Sequence, residues 1–173
     1  MMGGFYNGDT FMLSIVPFQE KYTQDIIDLV LHFQNNGRRP PVTVDGQPDL
    51  LRIQHSYLDA GGFFWMTLDE EGKLAGTVGL MPCGAGMAVL KKFFVYEPYQ
   101  GAPHHLGRQL YGRLLDFAKG HGVHTILLDT PCDTVRAHKF YERAGFRKVT
   151  KDELPCKYDP PIKPCDFSLL ELQ

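Results

Sequence analysis

The stretch from Phe63 to Val95 constrains the fold most, because it reads as three consecutive strands that hand over to an amphipathic helix. Phe63 to Leu68 is aromatic and β-branched, Asp69-Glu70-Glu71-Gly72 is a turn, and Leu74 to Met81 resumes the strand, so the two halves form a hairpin. After Gly84-Ala85-Gly86 a further strand runs from Met87 to Val95. The period then changes. Leu106, Leu110, Leu114 and Ala118, with Tyr111 and Leu115, mark one face of a helix that Gly120 or Gly122 stops.

Around this centre, Phe11 to Phe18 reads as a first strand, and Ile26, Ile27, Val30 and Phe33 recur at helical spacing over Gln24 to Phe33. Asn35 to Pro41 breaks regular structure. A second helix is expected to start near Pro48 and Asp49, with Leu50, Ile53, Tyr57 and Leu58 on its inner face and Gly61-Gly62 at its end. Downstream, Thr125 to Leu128 is a short buried strand. Ala137, Phe140, Tyr141 and Ala144 mark a helix capped by Asp133 or Thr134 and closed by Gly145. Phe146 to Val149 and Asp166 to Leu172 are final strands, separated by a loop with four prolines. The order β-α-α-β-β-β-α-β-α-β-β predicts an α/β (α+β) mixed sheet with helices on both faces.

With 173 residues and no dividing linker, the chain predicts one domain over residues 11–173, preceded by a disordered tail at 1–10. A net charge of −2 argues against a nucleic-acid binder held by bulk charge. No apolar run is long enough to span a bilayer, and the amino terminus lacks the basic and apolar regions of a secretory signal, so a cytoplasmic location is expected. In that setting the widely spaced Cys83, Cys132, Cys156 and Cys165 read as reduced single thiols. His104, His105, His121 and His124 have no cysteine or carboxylate at zinc-like spacing, so no metal is expected.

One corner carries chemistry. The strand ending at Val95 runs through Glu97-Pro98-Tyr99-Gln100-Gly101 into the helix from Leu106. Backbone N–H groups at such a helix start lack intrahelical partners and favour an anion. Gly101 and Gly107 would let a pyrophosphate approach the backbone, with His104, His105 and Arg108 beside it.

Read together with "TILLDT" and the later Ala137-x-x-Phe140-Tyr141-Glu142-x-x-Gly145-Phe146, this "VYEPYQG…LGRQL" text resembles the GCN5-related N-acetyltransferases. The resemblance covers nearly the whole chain and implies the acyl-CoA N-acyltransferase fold, acetyl-CoA as co-substrate and a primary amine as acceptor. It places the pantetheine arm along Phe93, Phe94 and Val95, with a bulge opening the slot there. It places the pyrophosphate on the N–H groups of His105, Leu106, Gly107 and Arg108, beside Gln100 and Gly101. Thr134 would touch the pantetheine amide or cap its helix, and Arg136, Lys139 and Arg143 would meet the adenosine phosphates. Tyr141 would be the general acid that protonates the departing thiolate.

The family's phosphate motif Arg-Gly-x-Gly-x-Gly is altered here to Gln100-Gly101-Ala102-Pro103-His104-His105-Leu106-Gly107, two residues longer. The general base is open. Some members carry a glutamate on the fourth strand, which Met87 to Val95 lacks, leaving Glu97, Asp49, His55, Tyr57 or ordered water. The segment Arg38 to Asp49 would shape the acceptor site. The altered loop and absent strand base also leave open a non-catalytic acyl-CoA sensor of the same fold. Oligomeric state cannot be read from the text; the last strand often forms dimers in this superfamily, which leaves a homodimer open.

Overall fold

A computed structural model describes residues 12–37, 40–158 and 160–173. Phe11, the tail at 1–10 and the Arg38-Arg39 pair lie outside the described residues. Seven strands form one sheet: β1 Ser14–Pro17, β2 Phe63–Leu68, β3 Leu74–Gly84, β4 Met87–Val95, β5 Thr125–Pro131, β6 Arg147–Val149 and β7 Cys165–Glu171. Their spatial order is β1-β2-β3-β4-β5-β7-β6. All neighbours are antiparallel except β4 and β5, which run parallel. The helices are α1 Thr23–Gln34, α2 Pro48–Leu51, α3 Leu106–Gly120 and α4 Val135–Arg143.

Each face of the sheet has its own core. Leu106, Leu110, Leu114 and Ala118 of α3 pack on Val78, Leu80, Leu90, Ile126 and Leu128, with Phe140 and Tyr141 of α4 against the same cluster. On the other face, Ile26, Leu29 and Val30 of α1 pack with Leu50, Tyr57, Phe64 and Met66. Further along that face, Val89, Leu127 and Leu169 are covered by Leu154, Cys156 and Tyr158 from the proline-rich loop. The 3.6-residue period of α1 and α3 and the two-residue period of the strands serve the same two cores, which is why the pattern was readable.

Two expectations are corrected. The second helix is not continuous: α2 ends after one turn, Arg52 leaves helical geometry (φ −142°, ψ 51°), and Gln54–Leu58 forms a wide turn. In a straight helix Asp49 and Tyr57 would stand about 12 Å apart along the axis. The break brings them together, so that the Tyr57 hydroxyl donates to Asp49 Oδ2 at 2.6 Å. Gly79 of β3 makes room for that tyrosine, since a Cβ there would lie 2.7 Å from its ring.

The cysteines are the second correction. Cys83, at the end of β3, is joined by a disulfide to Cys156 in the proline-rich loop, with Cα atoms 6.2 Å apart. Cys132 and Cys165 are free thiols. Sequence distance was a poor guide because the loop folds back over Val89 and Leu127. The bridge closes a 73-residue separation, for which the loss of unfolded-chain entropy amounts to about 4 kcal/mol. Cys83→Ser is therefore expected to lower unfolding free energy by that order in non-reducing urea titrations, and to abolish the effect of added reductant. A variant as stable as the parent under oxidising conditions would refute this.

Candidate active site

The site begins with one extra residue. Along β3 and β4, Thr77 pairs with Phe94 but Gly79 pairs with Lys91, so β4 spends three steps where β3 spends two. The bulge residue is Lys92, with a φ of 54°, and its carbonyl accepts a 2.7 Å hydrogen bond from the Thr77 hydroxyl. Such a left-handed backbone is unfavourable for a side chain with a Cβ and marks local strain. On the opposite side, β4 pairs with β5 only through Met87, Ala88 and Val89. From Leu90 onward the parallel strands diverge, and the gap opens into a cleft of about 1210 Å³. A smaller depression of about 280 Å³, lined by Asp25, Asp28, Lys73 and Tyr96, lies apart from it.

The cleft collects most of the residues singled out in the sequence. Phe93, Phe94, Val95, Gln100, Gly101, His105, Gly107, Arg108, Thr134, Arg136, Lys139, Tyr141 and Arg143 all line it, as does Glu97. At its α3 end, His105 precedes the helix with a φ of 47°. The His105 N–H is already spent on the Gly101 carbonyl at 2.7 Å. The N–H groups free of helix partners are therefore those of Leu106, Gly107 and Arg108. A Cβ on Gly107 would lie 3.7 Å from the Phe93 ring, so the helix start lies close against the open strand.

Gln100, where the family has arginine, spans the cleft mouth. Its amide donates to Val95 O at 2.7 Å, and Arg136 donates to its Oε1 at 2.6 Å. Thr134 precedes α4 but does not cap it: its hydroxyl reaches Asp133 Oδ1 at 3.4 Å and no helix N–H. Phe94 turns its ring to the other side of the sheet, stacked on Phe33 at 5.6 Å.

Tyr141 stands on the α4 wall, packed against Phe93 and Phe146. Burial, then the charge of Asp129 and the neighbouring Tyr111, push its phenol well above the ordinary tyrosine range. It is thus a protonated donor at any physiological pH. The Tyr111 hydroxyl, in the same wall, is buried without a partner among the described residues.

The base candidates separate sharply. Glu97 is about half exposed and bonded to His32 Nε2 at 2.8 Å, and this hydrogen bond holds its carboxyl below the usual range. His55 is exposed and does not line the cleft. Asp49 and Tyr57 do not line the cleft but lie behind Lys91 and Lys92, in a polar cluster that sequence reasoning did not assemble. There Gln34 and Gln47 exchange amide hydrogen bonds of 2.8 and 2.7 Å. Lys92 Nζ donates to Gln47 Oε1 at 2.5 Å and stands 3.7 Å from Asp49 Oδ2. Lys91 Nζ is 3.9 Å from the same oxygen. Burial raises the Asp49 carboxyl, but Lys92, Lys91 and the Tyr57 hydrogen bond outweigh it, and Asp49 remains firmly ionised. Burial pulls Lys92 down to about 8, Asp49 opposing.

Asp129 is the missed carboxylate. It lies on β5 just past the point where the strands part, lines the cleft, and sits beside the buried Tyr158 hydroxyl, which has no fully aligned hydrogen-bond partner. Burial raises its carboxyl above the ordinary range, with Lys91 and Lys92 opposing. The signals were in the text: two adjacent lysines inside the apolar "MAVLKKFFV", and an acid closing "TILLD".

A diverging parallel pair, a bulged strand and an unpartnered helix start leave an open slot between β4 and β5 with anion-favouring N–H groups at one end. Residues 29–146 match the model of the acetyltransferase (GNAT) family, and the chain belongs to that family. An acetyltransferase structure from Streptococcus agalactiae superposes with a TM-score of 0.86 at 33% identity, covering 92% of this chain and 98% of that one. A GNAT-family acetyltransferase from Staphylococcus aureus gives the same TM-score at 29% identity, covering 94% and 100%. The "Probable N-acetyltransferase camello" of Xenopus tropicalis is 31% identical over 62% of this chain and 49% of its own length. The chain thus spans about half the length of the curated relatives it matches.

Proposed function

We propose that the cleft binds acetyl-CoA and that the protein transfers the acetyl group directly to a primary amine. The observation that carries this is the parting of β4 from β5 after Val89, with the Lys92 bulge on one side and Tyr141 on the other. The residues present fit the co-substrate. With β5 parted from it, the β4 edge at Phe93 and Phe94 can pair with pantetheine amides, the Val95 carbonyl being held by Gln100, and the free N–H groups of Leu106, Gly107 and Arg108 suit a pyrophosphate. Lys139 and Arg143 line the same wall as further cations. A neighbouring fold, the yncA protein of Salmonella typhimurium, is described with its cofactor acetyl-CoA; at 17% identity it supports the fold comparison alone.

When bound, acetyl-CoA supplies an activated acyl carbon. Asp129 takes one proton from the incoming ammonium, and the nitrogen then bonds to the acyl carbon. As the C–S bond breaks, the Tyr141 phenol gives its proton to sulfur and is reprotonated, through water, by the proton the new amide nitrogen loses. Asp129 returns its proton to solvent. Strand-edge N–H groups stabilise the oxygen that carries the transient negative charge.

The test is thiol release from acetyl-CoA with a panel of amines. Tyr141→Phe is expected to lower kcat by about 10²-fold with acetyl-CoA affinity retained. Tight binding with no turnover on any amine would instead make the protein a sensor of acyl-CoA.

A further inference from the structure

Strand alternation would put Lys91 and Lys92 on opposite faces of the sheet. The bulge cancels one step, so both ammonium groups reach the α1/α2 face and converge on Asp49. They are not equivalent there. Lys92 is engaged by Gln47 and nearly sealed, whereas the Lys91 side chain is 16% exposed and its ammonium makes no hydrogen bond among the described residues. Lys91 and Asp129 line the same cleft from the two diverging strands. Phe93 lies between Lys91 and the phosphate cradle along β4, so these two charges frame the acceptor end.

The sharing of charge is uneven. Two lysines and one firmly ionised carboxylate, Asp49, are joined by Asp129, whose ionisation burial opposes. A poorly compensated cation in such a setting is costly unless an anion joins it. A polyamine or a lysine side chain would bring a further positive charge to it.

Resting on the acetyl-transfer reading above, we propose that the acceptor is an α-amino acid: its carboxylate is received by the Lys91 ammonium and its amine faces Asp129. Two neighbouring groups of opposite charge match a zwitterion with both charges on one carbon. The substrate's carboxylate also offsets the Lys91 charge that opposes protonation of Asp129, which strengthens Asp129 as a proton acceptor at the moment an amine is present. Lys91 is here a specificity residue that touches the acceptor.

The experiment compares pairs that differ only in the carboxylate: L-phenylalanine with phenethylamine, and L-methionine with 3-(methylthio)propylamine. The carboxylate-bearing member is expected to show kcat/KM higher by about 30-fold or more. Lys91→Met should collapse that ratio towards one, while Lys91→Arg retains most of it. Calorimetry on CoA-loaded protein reads the same preference without turnover. Equal or better use of the carboxylate-free amines, spermidine or a peptide amine, or a Lys91→Met loss equal for both members of a pair, overturns the proposal while leaving acetyl transfer intact. Carboxylate-selective binding with no turnover of any amine would overturn the catalytic reading instead. Absence of both turnover and amino-acid binding overturns the two together.

Discussion

Asp129→Asn is expected to lower kcat by about 10²–10⁴-fold and to leave acetyl-CoA binding unchanged. The size follows from elimination within the cleft. Its lining carboxylates are Asp129 and Glu97, and Glu97 is held in its ionised form by His32 at the exposed mouth. Asp129 is half-buried near Tyr141, and partial burial raises its carboxyl above the ordinary range, which makes it the stronger base of the two. The sign is testable. Asp129 accepts a proton only when ionised, so the wild-type rate should climb with pH through its raised pKa. In Asp129→Asn that limb should vanish, leaving a rate that follows the fraction of free amine. Glu97→Gln should change kcat far less. An Asp129→Asn enzyme with the parental rate and pH profile would remove Asp129 from the mechanism.

Asp49→Asn is expected to destabilise the protein by about 3 kcal/mol near pH 7, because it leaves buried Lys92 without its counter-ion. For a chain of this length that is a fall in Tm of about 10 °C. The linkage fixes how the penalty varies. Lys92 has a folded pKa depressed to about 8, so the folded state resists its protonation more than the unfolded state does. Stability tied to Lys92 therefore rises as pH increases from about 8 towards the ordinary lysine value in both proteins. The Asp49→Asn penalty exists only where wild-type Lys92 is charged, so it should shrink as pH rises through about 8 and be small by pH 10. Asp49 has a lowered folded pKa, so its own contribution is present above its unfolded value and lost on acidification below it. Urea titrations of both proteins at pH 7 and 10 would check this; a penalty that stays constant or grows would contradict the Lys92–Asp49 pairing.

Much of the fold was legible because burial is periodic. Ile26, Val30, Leu106, Leu110 and Leu114 mark their helices by spacing alone, and all are buried. The hairpin turn at Asp69 to Gly72 held, with Asp69 accepting from the Glu71 and Lys73 amides at 2.8 and 2.9 Å. That Phe93 to Val95, Gln100, Gly101 and the start of α3 share one cleft was legible for a related reason: they are contiguous in sequence, along one strand, one loop and one helix start. The second helix was not, because its break at Arg52 answers to the buried Asp49–Tyr57 contact rather than to any local breaker. The disulfide was not, because a loop of irregular backbone brings Cys156 to Cys83.

The sequence by itself determined which segments become strands and helices, which faces they bury, and that a glycine-containing loop and a helix start follow Val95. These depend on propensity and pattern over a few residues. Only the tertiary structure decided which charged groups meet beside the cleft. Whether Lys92 faces α3 or α1 hinges on one extra residue between Lys91 and Phe94, and a one-residue shift reverses the face of a strand side chain. That shift joins Lys91 and Lys92 to Asp49, from a helix some forty residues earlier, and the parting of β4 from β5 adds Asp129 to the same cleft. Charges from three distant segments acquire their joint chemistry only where the folded chain removes them from water together.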